Sequence, residues 1–202
     1  MKVFQIIFLL VIIPLYSQNI AGIQLFNPDT NDETPVIGFD QQLVLRFDDL
    51  SNSSTIYRYT IKHYDRDWND DGLFFTEFAK GSLNGLIDNL KYSFNTYQKY
   101  THYELTFPNE RIKPIISGNF KLIVYKDSPE KPLFTKKFCI VESNATIAVA
   151  VSRTSNTQNP AINQRIEVQA TSSELSSNIN SITLNVVQNN NWNNGIFGLK
   201  PS

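Results

Sequence analysis

A single cysteine, two histidines and no surplus of either charge leave several function classes without the residues they need. Cys139 cannot form an internal disulfide, and in the apolar run FTKKFCIVE it reads as a small buried hydrophobe. His63 and His102 stand alone, with no second histidine or cysteine at ligand spacing, so neither starts a zinc site. Lys and Arg number 18 against 19 Asp and Glu, with no basic stripe, which excludes nucleic acid as a partner. There is no G-x-S-x-G elbow, no phosphate-cradling glycine loop and no Cys/His nucleophile pair. Asp48-Asp49 and Asp70-Asp71 are adjacent, and adjacent carboxylates face opposite ways on a strand and stay wet in a turn. Neither pair is expected to hold the buried, raised-pKa acid that general catalysis uses. These residues point away from an enzyme and imply neither cofactor nor metal.

Long apolar runs are also scarce. Phe4 to Tyr16 (FQIIFLLVIIPLY) follows the positive Lys2 and has the length of a secretory signal, short of the roughly 20 residues that span a bilayer. Residues 1–17 are therefore expected to be a signal peptide cleaved after Ser17, leaving no membrane span in the mature chain. The stretch from Ile12 to Gln18 holds no cysteine for a lipoprotein anchor. Loss of Lys2 with that leader moves the formal charge from −1 to −2.

No run with helical spacing follows; the period is two, as in strands whose alternate side chains face a core. Leu43, Leu45 and Phe47 share one face, as do Tyr57, Tyr59 and Ile61, then Tyr103, Leu105 and Phe107, then Phe120, Leu122 and Val124, then Phe134, Phe138 and Ile140. Shorter strands around Ile23 to Phe26 and Leu73 to Phe78 bring the expectation to seven. Turns are expected at Asn27-Pro28, Asp71-Gly72, Pro108-Asn109, Ser117-Gly118 and Asp127-Ser128-Pro129. This pattern predicts an all-β, immunoglobulin- or fibronectin-like antiparallel sandwich over residues 18–142. GSLNGLIDNL (81–90) is expected to be a loop, too rich in Gly and Asn for a helix.

After Glu142 aromatics thin out and three alternating runs appear, TIAVAVSR, INQRIEVQA and SITLNVVQ. They predict an incomplete second β-sandwich over 143–202, because three strands do not enclose a core. The ending NNGIFGLKPS reads as lacking a terminal strand, which favours truncation of a longer chain.

KHYDRDWNDDG (62–72) gathers oxygen ligands as a calcium loop does. Counted from Asp65, however, position six is Asp70 where an EF-hand needs glycine, and position twelve is Thr76 where it needs a bidentate glutamate. The stretch reads instead as a hairpin tip with a type I′ turn at Asp71-Gly72, from which Trp68 folds back onto the strand ends.

The phrases Asp67-Trp68, Thr101-His102-Tyr103 with Phe107-Pro108-Asn109, Lys113-Pro114 with Ser117-Gly118-Asn119, and Val141-Glu142 resemble, in order and spacing, the N-terminal domain of the type IX secretion system plug protein family. Gln188, Asn189, Trp192, Asn193 and Leu199-Lys200-Pro201 are similar to the family's second region. Members of that family run to about twice this length. The resemblance implies an exported periplasmic protein on the inner side of the outer membrane. There it would occupy the periplasmic mouth of a large outer-membrane translocon barrel without catalysis.

A plug needs a rigid body and a displaceable surface, and tyrosine and tryptophan suit such surfaces. Trp68 and the cluster Tyr92, Phe94, Tyr97 and Tyr100 in KYSFNTYQKY are the candidate interface residues. The alternative is a secreted carbohydrate-binding or adhesive sandwich that uses Trp68 and nearby tyrosines as a sugar platform.

Overall fold

A computed structural model describes residues 19–31, 33–51, 54–142, 145–153, 163–172, 182–189, 191–192 and 194–201. The expected signal peptide (1–17) and Asn193 lie outside the described residues. Strands dominate because the period-two runs deliver one apolar face each. β1 (Ile20–Phe26), β3 (Leu43–Asp49), β8 (Thr101–Phe107) and β7 (Asn89–Tyr92) form a four-stranded sheet in the order β1-β3-β8-β7. Facing it, a five-stranded sheet runs β2 (Val36–Ile37), β11 (Phe134–Ile140), β10 (Gly118–Tyr125), β4 (Tyr57–Tyr64), β6 (Gly85–Ile87). The first order is that of the A-B-E-D sheet of an immunoglobulin fold, and β11-β10-β4 is that of its G-F-C strands. All pairings in these two sheets are antiparallel except that of β2 with β11.

Register places the expected faces together. Leu43, Leu45 and Phe47 lie opposite Phe107, Leu105 and Tyr103, and Leu122 lies opposite Ile61. All of these are buried, as are Tyr57, Tyr59, Phe120, Val124, Phe138 and Ile140. Phe47 stacks on Tyr103 with centroids 5.0 Å apart, and Phe107 and Phe120 each meet Phe138 at 5.2 Å. Burying each such side chain contributes about 1.5–3 kcal/mol, which holds the two layers face to face. On the outer face Arg46 donates to Glu104 directly across the ladder, at 2.7 Å.

Four local expectations are corrected. Leu73 to Phe78 is not a strand: Phe75–Phe78 form a one-turn helix (α1) leading into β5 (Ala79–Gly81), which pairs with β9 (Ile112–Pro114). The Glu77 carboxylate accepts the Phe74 N–H at 2.7 Å, and Phe75 and Phe78, three apart, meet edge to face at 5.6 Å. Apolar residues at 75 and 78, three apart, share a face on a helical turn and take opposite faces on a strand.

The supposed loop 81–90 carries β6 and the start of β7, with Asp88 alone between them as the chain crosses from one sheet to the other. Gly85 makes this possible: a Cβ there would collide with the Tyr59 ring beside it, 2.7 Å from the phenol oxygen. The ending is not strandless, since β14 (Leu184–Val186) pairs with β15 (Ile196–Leu199). Finally, Asp71-Gly72 is not a type I′ turn, because of the pair only Gly72 has positive φ.

The second region holds β14 and β15 together with β12 (Thr146–Arg153) and β13 (Gln164–Thr171), which pair antiparallel over eight positions. Ile147, Val149, Val151 and Ile166 share one face of that ribbon and are exposed.

Candidate functional site

At the Trp68 tip the carboxylates of Asp65, Asp70 and Asp71 each accept backbone N–H groups, while that of Asp67 meets Arg66. Asp65 Oδ1 accepts the N–H groups of Asp67 at 2.9 Å and Asn69 at 2.7 Å, and its carbonyl accepts Trp68 N–H at 3.0 Å. Donation from Asn69 keeps the Asp65 carboxyl below the usual carboxylate range. Asp70 pairs with Lys62 and accepts the Gly72 N–H, while Asp71 meets His63 Nδ1 and accepts the Leu73 N–H. The residue that takes the left-handed conformation is Trp68 itself, at φ 64°. Among the described residues no three His, Cys, Asp or Glu side chains converge as metal ligands do.

Trp68 does fold back, onto the outer face of the five-stranded sheet. Its ring is 6.2 Å from Tyr64 and edge to face with Trp192 at 5.0 Å. Lys137 Nζ lies 4.2 Å from the Trp68 centroid and 5.3 Å from that of Trp192. Lys137 is one of three lysines level with one another across β4, β10 and β11: Lys62, Lys121 and Lys137. Like charges directly opposite on adjacent strands repel. Each here has a nearest partner of its own: Asp70 for Lys62, which also lies 5.9 Å from the Tyr64 centroid, the Tyr64 ring at 4.1 Å for Lys121, and the two indoles for Lys137. Burial, and then Lys121, lowers the pKa of Lys137. Cation–π contacts of this kind contribute about 0.5–2 kcal/mol each.

The other nominated aromatics lie elsewhere. β4 starts where β3 ends, because Tyr57 Oη donates to Asp49 Oδ2 at 2.8 Å, so Tyr64 and the Trp68 tip belong to the opposite end. The β7–β8 loop sits at the Asp49 end, since Tyr92 and Asp49 both pair with Thr101 and Gln98 Nε2 donates to Leu50 O at 3.4 Å. Tyr92, Phe94, Tyr97 and Tyr100 are therefore together, and Trp68 is the length of a strand away. Phe94 is 93% exposed, Tyr97 is fully exposed, Tyr92 is 60% exposed and Tyr100 is half-buried.

Sequence reasoning missed Asp49, which is buried and hydrogen-bonded to Tyr57 and to the Ser51 N–H at 2.8 Å, contrary to the expectation that neither aspartate pair is buried. Asp48 takes the opposite face, beside His102 Nδ1 at 2.6 Å. Burial and the neighbouring Asp49 raise the Tyr57 pKa, and burial pushes Tyr103 up to about 12. His63 is buried between Phe120 and Phe78, with its nitrogens against Asp71 and the Ser117 carbonyl, so both are engaged. Cys139 is half-buried, donates to Asn119 Oδ1 at 3.2 Å, and is pushed up to about 11 by burial. Trp192 and the lysine row were also missed as parts of one cluster; the recurrence of lysine on three outward strand positions was the available signal.

No helix among the described residues is long and apolar enough to cross a membrane. No curated protein matches the chain. Among solved structures it is similar to a hypothetical protein from Parabacteroides merdae known by crystallography, with a TM-score of 0.80 and 26% identity. That likeness covers 92% of this chain and 48% of the other, so the chain spans about half the length of that relative. Residues 20–142, the two-layered sandwich with both surfaces described above, match the family model of the "Type 9 secretion system plug protein 1st domain", and the chain belongs to that family.

Proposed function

We propose that this chain is a non-catalytic, plug-like component of the type 9 secretion system. In this reading it works in the periplasm against the inner side of the outer membrane and binds the periplasmic mouth of the translocon barrel. Residues 18–142 act as the plug-type domain, and 143–202 as part of a second β-domain. The observation that carries this reading is the family match over 20–142 on an immunoglobulin-like body.

The geometry is in keeping with it. The body is two-layered, its histidines and tip carboxylates are engaged in hydrogen bonds, and one end carries exposed aromatics on a loop closed by its own hydrogen bonds. Tyr92, Phe94, Tyr97 and Tyr100 form the aromatic end that this reading turns toward the outer membrane holding the barrel. Trp68 is assigned instead to the contact with Trp192, which removes the flat, open ring that a sugar platform uses.

Affinity purification of the tagged protein from solubilised envelopes tests the proposal. Stoichiometric recovery of the outer-membrane translocon barrel is the expected result. Recovery of the protein alone, with glycan-array binding abolished by Trp68→Ala, would replace it with the carbohydrate-binding reading.

A further inference from the structure

The loop between β7 and β8 is held from within without using its large side chains. Ser93 N–H donates to the Tyr100 carbonyl at 2.9 Å, and Tyr100 N–H donates to Ser93 Oγ at 2.9 Å. Thr96 Oγ1 donates to the Gln98 carbonyl at 2.9 Å, and Asn95 takes the left-handed conformation at φ 55°. The chain thus keeps a fixed shape while the rings of Phe94 and Tyr97 stand in solvent. Single exposed apolar residues are ordinary; a closed loop that spends its hydrogen bonds on presenting two is not.

The loop and the residues flanking it carry charge of one sign, with Lys91 standing across from His102, which meets Asp48 on the neighbouring strand. From Asn89 to Tyr103 there is no Asp or Glu, and the exposed Lys91 and Lys99 flank the aromatics. Ile56, just before β4, and Leu133, just before β11, add exposed apolar surface at the same end. Asp127 and Glu130, on the β10–β11 connection there, alternate with Lys126 and Lys131.

Shape chooses the occupant. A protein partner gains affinity over a broad complementary surface of about 800 Å² a side, more than two fully exposed rings on the eight-residue loop supply. A bilayer interface closes around a convex tip. Tyrosine sits there with its ring in the apolar boundary and its hydroxyl among the headgroups, phenylalanine sits deeper, and lysines reach the phosphates. We propose that loop 93–100 inserts into the interface of an anionic phospholipid bilayer. Phe94 and Tyr97 enter the headgroup–acyl boundary, and Lys91 and Lys99 meet lipid phosphates. The inference rests on the proposed function only in placing the protein beside a membrane; it names lipid as what the aromatic end touches.

Flotation of the purified mature chain with vesicles tests this, using phosphatidylethanolamine containing 30% phosphatidylglycerol, against pure phosphatidylcholine, at low and high salt. Binding to the anionic vesicles is expected. Phe94→Ala with Tyr97→Ala should lower the partition coefficient at least about tenfold, since two buried rings carry more than the 1.4 kcal/mol that a factor of ten requires. Lys91→Gln with Lys99→Gln should remove most of the salt dependence. All four side chains are exposed, so folding should be unchanged by circular dichroism. No binding to any vesicle, or binding indifferent to the double aromatic variant, overturns the proposal. Loss of a detergent-solubilised translocon complex in that variant, with no vesicle binding by the parent, overturns lipid as the partner and leaves the plug reading standing. Vesicle binding without any translocon complex supports the lipid contact and removes the plug reading.

Discussion

Replacing Gly85 with alanine puts a methyl group where the Tyr59 ring already lies. The added Cβ would overlap ring atoms Cε1 and Cζ and approach Oη to 2.7 Å. Tyr59 cannot swing away, because it is fully buried, meets Phe107 edge to face at 6.1 Å and donates to Asn109 Oδ1 at 2.9 Å. Nor can β6 retreat freely. Ile87 is in the core, Arg111 holds Leu86 O at 3.0 Å and Asp88 at 2.6 Å, and Thr60 Oγ1 donates to Leu83 O at 2.6 Å. Overpacking costs about 1–3 kcal/mol. Disturbing the Tyr59–Asn109 bond adds about 1 kcal/mol. The lower backbone entropy of alanine returns about 0.5–1 kcal/mol. The net loss is about 2 kcal/mol, which for a chain of this size lowers the Tm by about 6 °C. Thermal and urea unfolding followed by circular dichroism would measure it. In a Tyr59→Leu background the methyl has room, so the Gly85→Ala increment should fall near zero. An increment equal in both backgrounds, or a Gly85→Ala protein as stable as its parent, would refute the packing described here.

Three further outcomes are expected. Tyr103 and Tyr57 have folded pKa values raised above 10, so their contribution is intact below pH 10 and is lost as pH rises through the folded values; stability should fall between pH 10 and 12, with tyrosinate absorbance rising together with loss of near-UV signal. Trp192→Ala removes the indole 5.0 Å from Trp68 and one of the two rings beside Lys137, so the far-UV exciton couplet of the paired indoles should vanish and the Tm should drop by a few degrees, about 1–2 kcal/mol. Asp65→Ala strips two backbone N–H groups of their acceptor and should lower the Tm equally with and without millimolar calcium; a calcium-induced rise in Tm lost in this variant would establish a metal site at the tip.

The central strands were legible because burial on one side imposes a period of two, and Leu43-Leu45-Phe47 or Phe120-Leu122-Val124 keep it without interruption. Where the chain turns between layers the signal is shorter than the period. Phe75 and Phe78 share a face of a helix only four residues long, too few to display a period, and β6 holds three residues, one of them a glycine whose reason is a tyrosine about two dozen positions earlier. The candidate interface was legible as chemistry and not as place. Trp68 and Phe94 look alike in sequence, but strand order sends them to opposite ends, and only Trp68 meets a partner from the far end of the chain. Asp49 escaped notice because its burial depends on the Tyr57 hydroxyl reaching it across the β3–β4 connection. Contacts that depend on how sheets face each other are set by the whole topology, and local pattern carries no trace of them.

The most direct measurement is an electron cryo-microscopy reconstruction of the native translocon in its cargo-free state with the tagged protein bound. Density for a two-layered β body across the periplasmic opening of the barrel, with the 93–100 loop at the level of the membrane surface, is the predicted result. A barrel whose mouth is open while the protein is bound elsewhere, or is absent from every cargo-free particle, would contradict it.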